Sequence, residues 1–492
     1  MVHPPPVRRR RWRTLVAASV VAAPAILATV SAPATAADGD PRVELSAPDR
    51  LVVESYRGHV WSDLGLRLDV HDAPLEIWMT RPDYESPVEV TVKKPSGDVT
   101  LPADAATRLG YLDGLLTMTL TPKGGGTSVT NAPPVCLGLV SERMDPAGPA
   151  TSPYPRSCYF NPFAIGSVQG IPEGWSGSLV SEEGGSVRLK PGKYDVEYAV
   201  GDTYADAIGI SAEDRVVTQR LVVERYRECR RCRPDAVPAA TPHRPAVQEP
   251  RGPGVTALAD LPEGTPTPDL RSLPAFDIGL NRKGTQLRFG ANVWNGGNSP
   301  LVVDGFRRSG EDVMDAYQYF FDTDGEQVHY AEVGEMEWDA DPTHQHWHFT
   351  DFARYELVSS ATGEVVHSGK EAFCLANTDA VDLTGEGAQW QIREDDLGTS
   401  CGSYTSRSIR EVLAAGWGDT YHQFRAGQAF PVKKVPDGVY EIRVVANPEG
   451  NLIESSTENN VSTRTIELRT TPKGERRVSV HQVGIIQDIF LG

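Results

Sequence analysis

Apolar and polar residues alternate in short segments along most of the chain, which is the pattern of antiparallel β-strands. Clear examples are Leu287–Asn295 and Tyr440–Ala446, and Asp324–Gly325 is typical of a hairpin turn. One stretch, Ser406–Ala415, has the spacing of a short amphipathic helix, and we predict a helix there. The alternation elsewhere predicts an all-β fold.

The composition changes sharply between Cys232 and about Leu273, where prolines recur every few residues. Such a segment neither pairs in a sheet nor continues a helix, so we predict an extended linker. The sequence then divides into two β-sandwich-like domains joined by a Pro-rich linker. The predicted bounds are 40–228 for the first domain, 229–267 for the linker, 268–470 for the second domain and 471–492 for a C-terminal tail.

The two halves share a series of motifs in the same order and at similar spacing. The second half contains Cys374-Leu375, Cys401, Gly416-Trp417 and Pro436-Asp-Gly-Val-Tyr440, and the first contains Cys136-Leu137, Cys158, Gly174-Trp175 and Pro191-Gly-Lys-Tyr194. We interpret the series as a degenerate duplication, with one disulfide per copy, Cys136–Cys158 and Cys374–Cys401. The alternative is coincidence, because such strand starts are common in sandwich domains.

The first 36 residues have the features of an export signal. Five arginines precede an apolar stretch from Leu15 to Val30, and Ala34-Thr35-Ala36 is a small-residue cleavage site. The Sec and twin-arginine routes both stay open. We expect a secreted protein without a permanent membrane span, and disulfides are then the default for its six cysteines. Cys229 and Cys232 form a lone CxxC, which is poor evidence for zinc.

Acidic residues dominate the charge. The formal net charge is −18, and removal of the five signal arginines would take it to about −23. An acidic protein repels nucleic acid and attracts cationic molecules, which excludes a nucleic-acid partner and favours cationic substrates. The alternative is that the acidity only keeps a secreted protein soluble.

The strongest local motif is His344-Gln-His346-Trp-His348, which holds three of the eleven histidines. In a strand, side chains at i, i+2 and i+4 point to one face, so three imidazoles would line up together. Imidazole suits copper, zinc, iron or nickel, and the motif alone does not choose among them. The alternative is a polar surface strand that binds metal adventitiously.

The motif lies in a longer stretch, Trp338 to Leu357, that resembles the copper segment of lysyl oxidases. Two later segments, Gly369-Lys370-Glu-Ala-Phe-Cys374 and Gly418-Asp-Thr-Tyr421, resemble those that carry the cofactor lysine and tyrosine in that family. The resemblance covers about Pro268 to Leu468. It implies that His344, His346 and His348 bind copper and that Lys370 and Tyr421 are joined as a lysine tyrosylquinone cofactor.

The resemblance further implies oxidative deamination. Molecular oxygen and a primary amine, either a cationic lysine-containing protein or a small amine, would give an aldehyde, ammonia and hydrogen peroxide. The general base stays open. Asp419 would share a face with Tyr421 if the segment is a strand, although a Gly-Asp turn is an equal alternative, and His367 and His422 are weaker candidates.

A second metal site is implied by the same resemblance. Asp269, the Leu270 carbonyl, Glu454, Asn459 and Asn460 match a calcium-binding segment of the family, and oxygen ligands suit this hard cation. Ser456 stands where the family has an acid. The alternative is a polar entry to a strand.

The first half lacks these residues, having Ala132 in place of the cofactor lysine and Leu179 in place of the tyrosine. We predict a non-catalytic domain there. Two other functions stay open for the whole protein. One is a zinc hydrolase that uses the three histidines, and the other is a non-enzymatic extracellular β-sandwich module in which metal only stabilises the fold.

Overall fold

Side chains point alternately into a core and into solvent along the strands of this protein, as the sequence pattern predicts. In the strand Gly438–Ala446, for example, Tyr440, Ile442, Val444 and Ala446 are buried and their neighbours are at least partly exposed. The computed structural model describes residues 39–60, 63–156, 158, 161–180, 187–226, 250–340, 346–392, 401–425 and 427–486. Over these residues nearly all regular structure is strand, and the all-β prediction is confirmed.

The first half contains fifteen strands and one short helix among its described residues. They are β1 (Arg42–Ser46), β2 (Arg50–Tyr56), β3 (His59–Val60), β4 (Arg67–His71), β5 (Leu75–Thr80), β6 (Glu89–Lys93), β7 (Val99–Thr100), β8 (Leu116–Pro122), β9 (Val129–Asn131), β10 (Ser141–Arg143), β11 (Gly166–Ile171), β12 (Trp175–Ser178), β13 (Val187–Arg188), β14 (Gly192–Val200), α1 (Asp202–Ile208) and β15 (Val216–Arg225).

These strands form three sheets that enclose one apolar core. Two sheets have four strands each, in the orders β1-β4-β12-β10 and β11-β5-β6-β7, and the third has the order β13-β3-β2-β15-β14-β8-β9. The core is filled by side chains such as Leu68, Ile77, Met118 and Tyr198, each with no exposed surface. Among the described helices, none is long and apolar enough to cross a membrane.

The second half begins with one 3₁₀ turn, Leu258–Asp260, and continues in strands. They are β16 (Leu270–Ser272), β17 (Phe276–Leu280), β18 (Gln286–Asn295), β19 (Leu301–Arg307), β20 (Val313–Phe321), β21 (Gln327–Asp339), β22 (His346–Ser359), β23 (Val365–Phe373), β24 (Asp379–Ala380), β25 (Ser408–Leu413), β26 (Trp417–Tyr421), β27 (Ala429–Pro431), β28 (Gly438–Ala446), β29 (Val461–Thr470) and β30 (Arg476–Val480).

Two sheets face each other in this half. The larger has the order β25-β19-β20-β21-β22-β28-β29-β30, with β23 also paired to β22, and the smaller has β16-β18-β26-β24, with β17 and β27 paired to β18. Their shared core holds Phe289, Trp347, Phe352 and Tyr355. The long strand β22 is central, because β21 pairs with its first residues and β28 with its last.

The predicted helix at Ser406–Ala415 is wrong. Residues Ser408–Leu413 form the strand β25, which pairs along its length with β19. The buried Ile409 and Val412 are β-branched, and pairing with a neighbouring strand outweighs the local helical spacing. The predicted hairpin at Asp324–Gly325 is confirmed, since this turn joins β20 to β21.

The motifs shared by the two halves have matching local structures. Both predicted disulfides, Cys136–Cys158 and Cys374–Cys401, are present. Gly174 and Gly416 both have positive φ, 72° and 87°, and each precedes a tryptophan whose indole donates to a carbonyl on an earlier loop, Trp175 to Pro149 and Trp417 to Gln389. Cys229 and Cys232 lie outside the described residues.

Residues 381–392 of the second half form one part of the contact between the two halves. The Ile165 amide donates to the Val381 carbonyl, and the Leu383 amide donates to the Gly166 carbonyl. Trp390 stacks on Tyr154, with ring centroids 5.9 Å apart, and meets Trp78 edge to face at 6.2 Å. One apolar cluster therefore includes side chains from both halves.

Segments at both ends of the second half also pack on it. Val255 and Leu261, in the last part of the predicted linker, are buried against its core. The strand β30, in the predicted C-terminal tail, pairs with β29.

Candidate functional site

Two of the three predicted histidine ligands lie at the start of β22 on one face of the strand. The rings of His346 and His348 are 4.7 Å apart between centroids. Trp347 between them points the other way, where its ring is fully buried against Trp338 and its indole donates to the Ser403 carbonyl. The buried indole fixes the strand, so both imidazoles face the same side. His344 lies outside the described residues.

Acidic side chains from β21 flank this imidazole pair. The strand register places Glu337 opposite His348 and Asp339 opposite His346. The Asp339 carboxylate lies 3.7 Å from Nδ1 of His348. Within the described residues no group of three or more His, Cys, Asp or Glu side chains is placed to hold a metal ion. Two imidazoles on one face fit part of a copper or zinc ligand set.

Tyr421 reaches the end of β23 from the facing sheet. It is the last residue of β26, its hydroxyl oxygen accepts a hydrogen bond from the Cys374 amide at 3.4 Å, and its ring lies 4.2 Å from Phe373 between centroids. Burial, and next the charge of Asp419, raises the pKa of the Tyr421 phenol. The phenol therefore keeps its proton at neutral pH.

Lys370 lies within β23, on the strand that ends beside Tyr421. Its backbone is paired with Arg354, and its side chain is outside the described part of the structure. The same strand register sets Phe373 opposite Phe349, the residue that follows His348. One continuous contact thus leads from the histidine strand through Phe349 and Phe373 to Tyr421.

The disulfide Cys374–Cys401 joins the same elements. Cys374 donates its amide to Tyr421, and the Cys401 carbonyl accepts a hydrogen bond from the amide of Trp347 at 2.9 Å. The disulfide therefore ties the tyrosine contact to the middle of the histidine motif.

Three buried carboxyl groups lie on the strand that carries Tyr421 or on strands that contact it. Asp419, two positions earlier on β26, shares its face, as expected if this segment is a strand. Glu411 on β25 and Asp379 on β24 have no exposed surface. Burial raises the pKa of Asp379 to about 6, and raises those of Asp419 and Glu411 well above the usual range.

Sequence reasoning missed Glu411 and Asp379. Glu411 was placed in the wrongly predicted helix, and Asp379 has no motif around it. The available signal for Glu411 was its alignment with Gln169, since each lies six residues before the tryptophan of the shared Gly-Trp motif.

The two histidines considered as bases pack on aromatic rings. His367 stacks on Phe430 at 6.3 Å, and His422 stacks on the exposed Phe424 at 5.4 Å between centroids. Burial lowers the pKa of His422. Because His422 directly follows Tyr421 in the chain, it leaves the strand on the other face.

The predicted calcium ligands converge on one buried polar cluster. Both carboxylate oxygens of Asp269 accept from the Asn459 amide group, and Oε1 of Glu454 accepts from Asn460 at 2.8 Å. The Leu270 amide donates to the other Glu454 oxygen at 2.7 Å. In the described structure the buried side-chain carbonyl oxygens of Asn459 and Asn460 lack hydrogen-bond partners.

These unpartnered oxygens fit a hard cation, which prefers oxygen ligands. Burial raises the pKa of Glu454. Arg271 already forms an ion pair with Asp269 at 2.6 Å, so part of that charge is neutralised by the protein itself. Ser456, at the position of the missing acid, accepts a hydrogen bond from the Glu458 amide.

The fold and the site define an all-β protein with an imidazole-bearing strand beside a buried phenol. Residues 321–476 match the family model described as lysyl oxidase. The chain is 31% identical over 126 residues to lysyl oxidase homolog 1 of Homo sapiens and equally to that of Bos taurus, which covers 25% of this chain.

The similarity to the lysyl oxidase family over this segment agrees with the resemblance of the sequence motifs. The histidine motif, Lys370, Glu411 and Tyr421 all fall within that segment. The chain spans about a fifth of the length of the curated relatives it matches, 19% in each case.

Proposed function

We propose that this protein is a secreted, copper-dependent amine oxidase that converts primary amines to aldehydes, with release of ammonia and hydrogen peroxide. The observation that carries the proposal is the contact from the histidine strand through Phe349 and Phe373 to Tyr421. It brings strands that carry three separate sequence motifs into contact, which supports the proposal. The match of residues 321–476 to the lysyl oxidase family model supports an oxidoreductase.

His344, His346 and His348 would hold the copper ion. Lys370 and Tyr421 would form the lysine tyrosylquinone, whose electrophilic carbonyl supplies the chemistry that removes electrons from an amine carbon. The chain's own contribution is orientation and exclusion of water. The Cys374 amide holds the Tyr421 oxygen in place, and the ring of Phe373 packs edge to face against the Tyr421 ring.

The acidic side of β21 favours a cationic substrate. Glu332 and Glu337 are exposed on this strand, and Asp339 lies beside the histidines. Such charges attract the ammonium group of lysine or of a small amine as it approaches the site. A lysine-containing protein or a small primary amine is therefore the proposed substrate, with molecular oxygen as the second reactant.

Peptide mass spectrometry of the full chain, loaded with copper in aerated buffer, tests this function. We expect a peptide that joins Lys370 to Tyr421, together with hydrogen peroxide production when a primary amine is added. Tyr421→Phe should abolish both, because phenylalanine lacks the oxygen from which the quinone develops. Tyr404→Phe is the matched control, since Tyr404 is half exposed and binds Asp312.

Copper content separates failure of the metal site from failure of the cofactor. The double variant His346→Ala/His348→Ala should lose stoichiometric copper, whereas His481→Ala, at an exposed position, should retain it. Stoichiometric copper with two unlinked peptides in the wild-type protein would reject the quinone, and zinc-dependent hydrolysis would then be measured.

A further inference from the structure

Three consecutive backbone amides form a cradle at the end of β23, residues Cys374–Ala376. The Cys374 amide donates to the Tyr421 hydroxyl at 3.4 Å, the Leu375 amide to Oε2 of Glu411 at 3.1 Å, and the Ala376 amide to Oδ2 of Asp419 at 3.4 Å. The phenol and two carboxyl groups, from two different strands, are thus held side by side by one short segment.

Glu411 is buried, and one of its two carboxyl oxygens forms no hydrogen bond among the described residues. The residue has no exposed surface, and its Oε1 has no hydrogen-bond partner among the described residues. A buried oxygen without a hydrogen-bond partner lowers stability, so this position is unfavourable for a purely structural acid.

The first half shows what a purely structural side chain looks like at this place. There the Leu137 amide donates to Oε1 of Gln169 at 2.7 Å, and the Gln169 amide group donates to the Gly110 carbonyl at 2.7 Å. A glutamine therefore accepts the same backbone hydrogen bond and leaves no buried atom unsatisfied. The fold at this position needs an acceptor, and it does not need an acid.

The groups that face Glu411 are acidic or phenolic. They are Asp419 and Tyr421 on β26. Asp419 in turn interacts with Asp379 on β24, and Tyr421 interacts with Tyr355 on β22. Burial and then the charge of Asp419 raise the pKa of Glu411, whereas the Leu375 amide lowers it. Burial and the mutual repulsion of the two charges thus favour the protonated form of this pair relative to exposed acids.

We propose that Glu411 and Asp419 form a proton-exchanging carboxyl pair for the Tyr421 site, with Glu411 as the residue that carries the exchangeable proton. The inference rests on the proposed function and goes further by assigning the acceptor of the phenol proton. The O–H bond of Tyr421 breaks, its electron pair stays on the phenolate oxygen, and the proton forms an O–H bond with the ionised member of the pair. The net charge of the buried cluster does not change, which avoids a further desolvation cost.

Glu411→Gln is the decisive variant, because it recreates the arrangement that Gln169 adopts in the first half. The first measurement uses the metal-free protein, in which no quinone forms. We expect the infrared carbonyl band of a protonated carboxylic acid at neutral pH in the wild-type protein, and a loss of intensity in the variant. Tyr421 should also ionise at a lower pH in the variant, measured as tyrosinate absorbance relative to Tyr421→Phe, because a neighbouring negative charge is gone.

The second measurement follows the rate at which the Lys370–Tyr421 peptide forms after copper is added. Loss of either carboxyl group breaks the proton-exchanging pair and should slow this rate at least about tenfold, in the lower range of effects for positioned acids and bases. Asp419→Asn should slow it similarly, since either change leaves one carboxyl group. A Glu411→Gln protein with an unchanged infrared spectrum, or one that matures at the wild-type rate, would overturn the proposal.

These outcomes are distinguishable from failure of the proposed function. If the wild-type chain forms no crosslink, the amine oxidase proposal fails, whereas the infrared and absorbance titrations still report where the proton resides. If Glu411→Gln does not fold, the pH dependence of the wild-type infrared band decides, because an ionised Glu411 at neutral pH would contradict its role as proton carrier.

Discussion

The two halves of this protein share one local hydrogen bond but place a neutral side chain at it in the first half and an acidic one in the second. In both, the residue after the first disulfide cysteine donates its amide to a side chain six residues before a Gly-Trp tryptophan. That side chain is Gln169 in the first half and Glu411 in the second. Both polar groups of the Gln169 side chain form hydrogen bonds, whereas one carboxyl oxygen of Glu411 has no partner among the described residues. The backbone hydrogen bond is therefore a structural feature common to both halves, and the acid is specific to the site in the second half.

The neighbouring positions follow the same division. Gly177 of the first half aligns with Asp419, and a side chain at Gly177 would meet Ile171, with 2.4 Å between an added Cβ and Cδ1 of Ile171. Leu179 aligns with Tyr421 and is buried. Apolar packing thus occupies the space that Asp419 and Tyr421 occupy in the second half. We infer from this comparison that Glu411, Asp419 and Tyr421 are less favourable for packing than their counterparts in the first half, and that their role is in proton transfer.

Removal of the disulfides should give the largest effect and separate fold from site. Cys136→Ala/Cys158→Ala and Cys374→Ala/Cys401→Ala should each lower the free energy of unfolding by about 3–4 kcal/mol, as expected for loops of this length. Denaturant unfolding measures this loss. Only the second pair should also slow the Lys370–Tyr421 crosslink, because only Cys374 contacts Tyr421. If both double cysteine variants slowed the crosslink equally, the proposed difference between the structural first half and the catalytic second half would be contradicted.

Exchange of the acid and the amide between the halves should give an intermediate, pH-dependent effect. Gln169→Glu buries a carboxyl group, and we expect it to lower stability at neutral pH by about 1–3 kcal/mol. An unfolded glutamate ionises near pKa ~4.3, while the buried one keeps its proton to higher pH, so stability should fall as pH rises through that interval.

Glu411→Gln should act in the opposite direction, since it removes a carboxyl group whose pKa is raised in the folded state. Its stability should decline less than that of the wild-type protein as pH rises from about 4. Thermal unfolding as a function of pH measures both variants. Parallel curves for the wild-type protein and Glu411→Gln would contradict a buried, protonated Glu411.

Calcium should give the smallest effect, confined to the second half. If the cluster of Asp269, Glu454, Asn459 and Asn460 binds calcium, a free concentration ten times the dissociation constant stabilises the protein by about 1.4 kcal/mol. Thermal unfolding with and without calcium chloride measures this gain. Asp269→Asn should reduce it, and a gain that persists in this variant would place the ion elsewhere.

The sequence predicted the strands well because their signals are local. Alternation over Tyr440–Ala446 and the Asp324–Gly325 turn depend on neighbours a few residues away. The strand at Ser408–Leu413 depends on pairing with Leu301–Phe306, about a hundred residues earlier, so its helical spacing was misleading. The disulfides were predicted because the shared motif order restricts the pairing.

The site divides in the same way. The histidine motif, Lys370 and Tyr421 stay predictions that rest on motifs, and the structure adds the contact between their strands. Glu411 could not be recognised as part of the site from local pattern. Its role follows from the Cys374–Ala376 segment, whose hydrogen bonds join residues 36 to 47 positions apart.

The docking of Trp390 against Tyr154 and Trp78 has a consequence for how the protein can be divided. Residues 381–392 lie in the chain between Lys370 and Tyr421, so the surface that contacts the first half belongs to the segment that joins these two residues. A fragment that begins at Pro268 would expose this aromatic surface to water and would be prone to aggregate. We expect a single cut in the chain between the halves to leave them bound to each other. The two fragments would then form a heterodimer through the apolar contact that the intact chain buries.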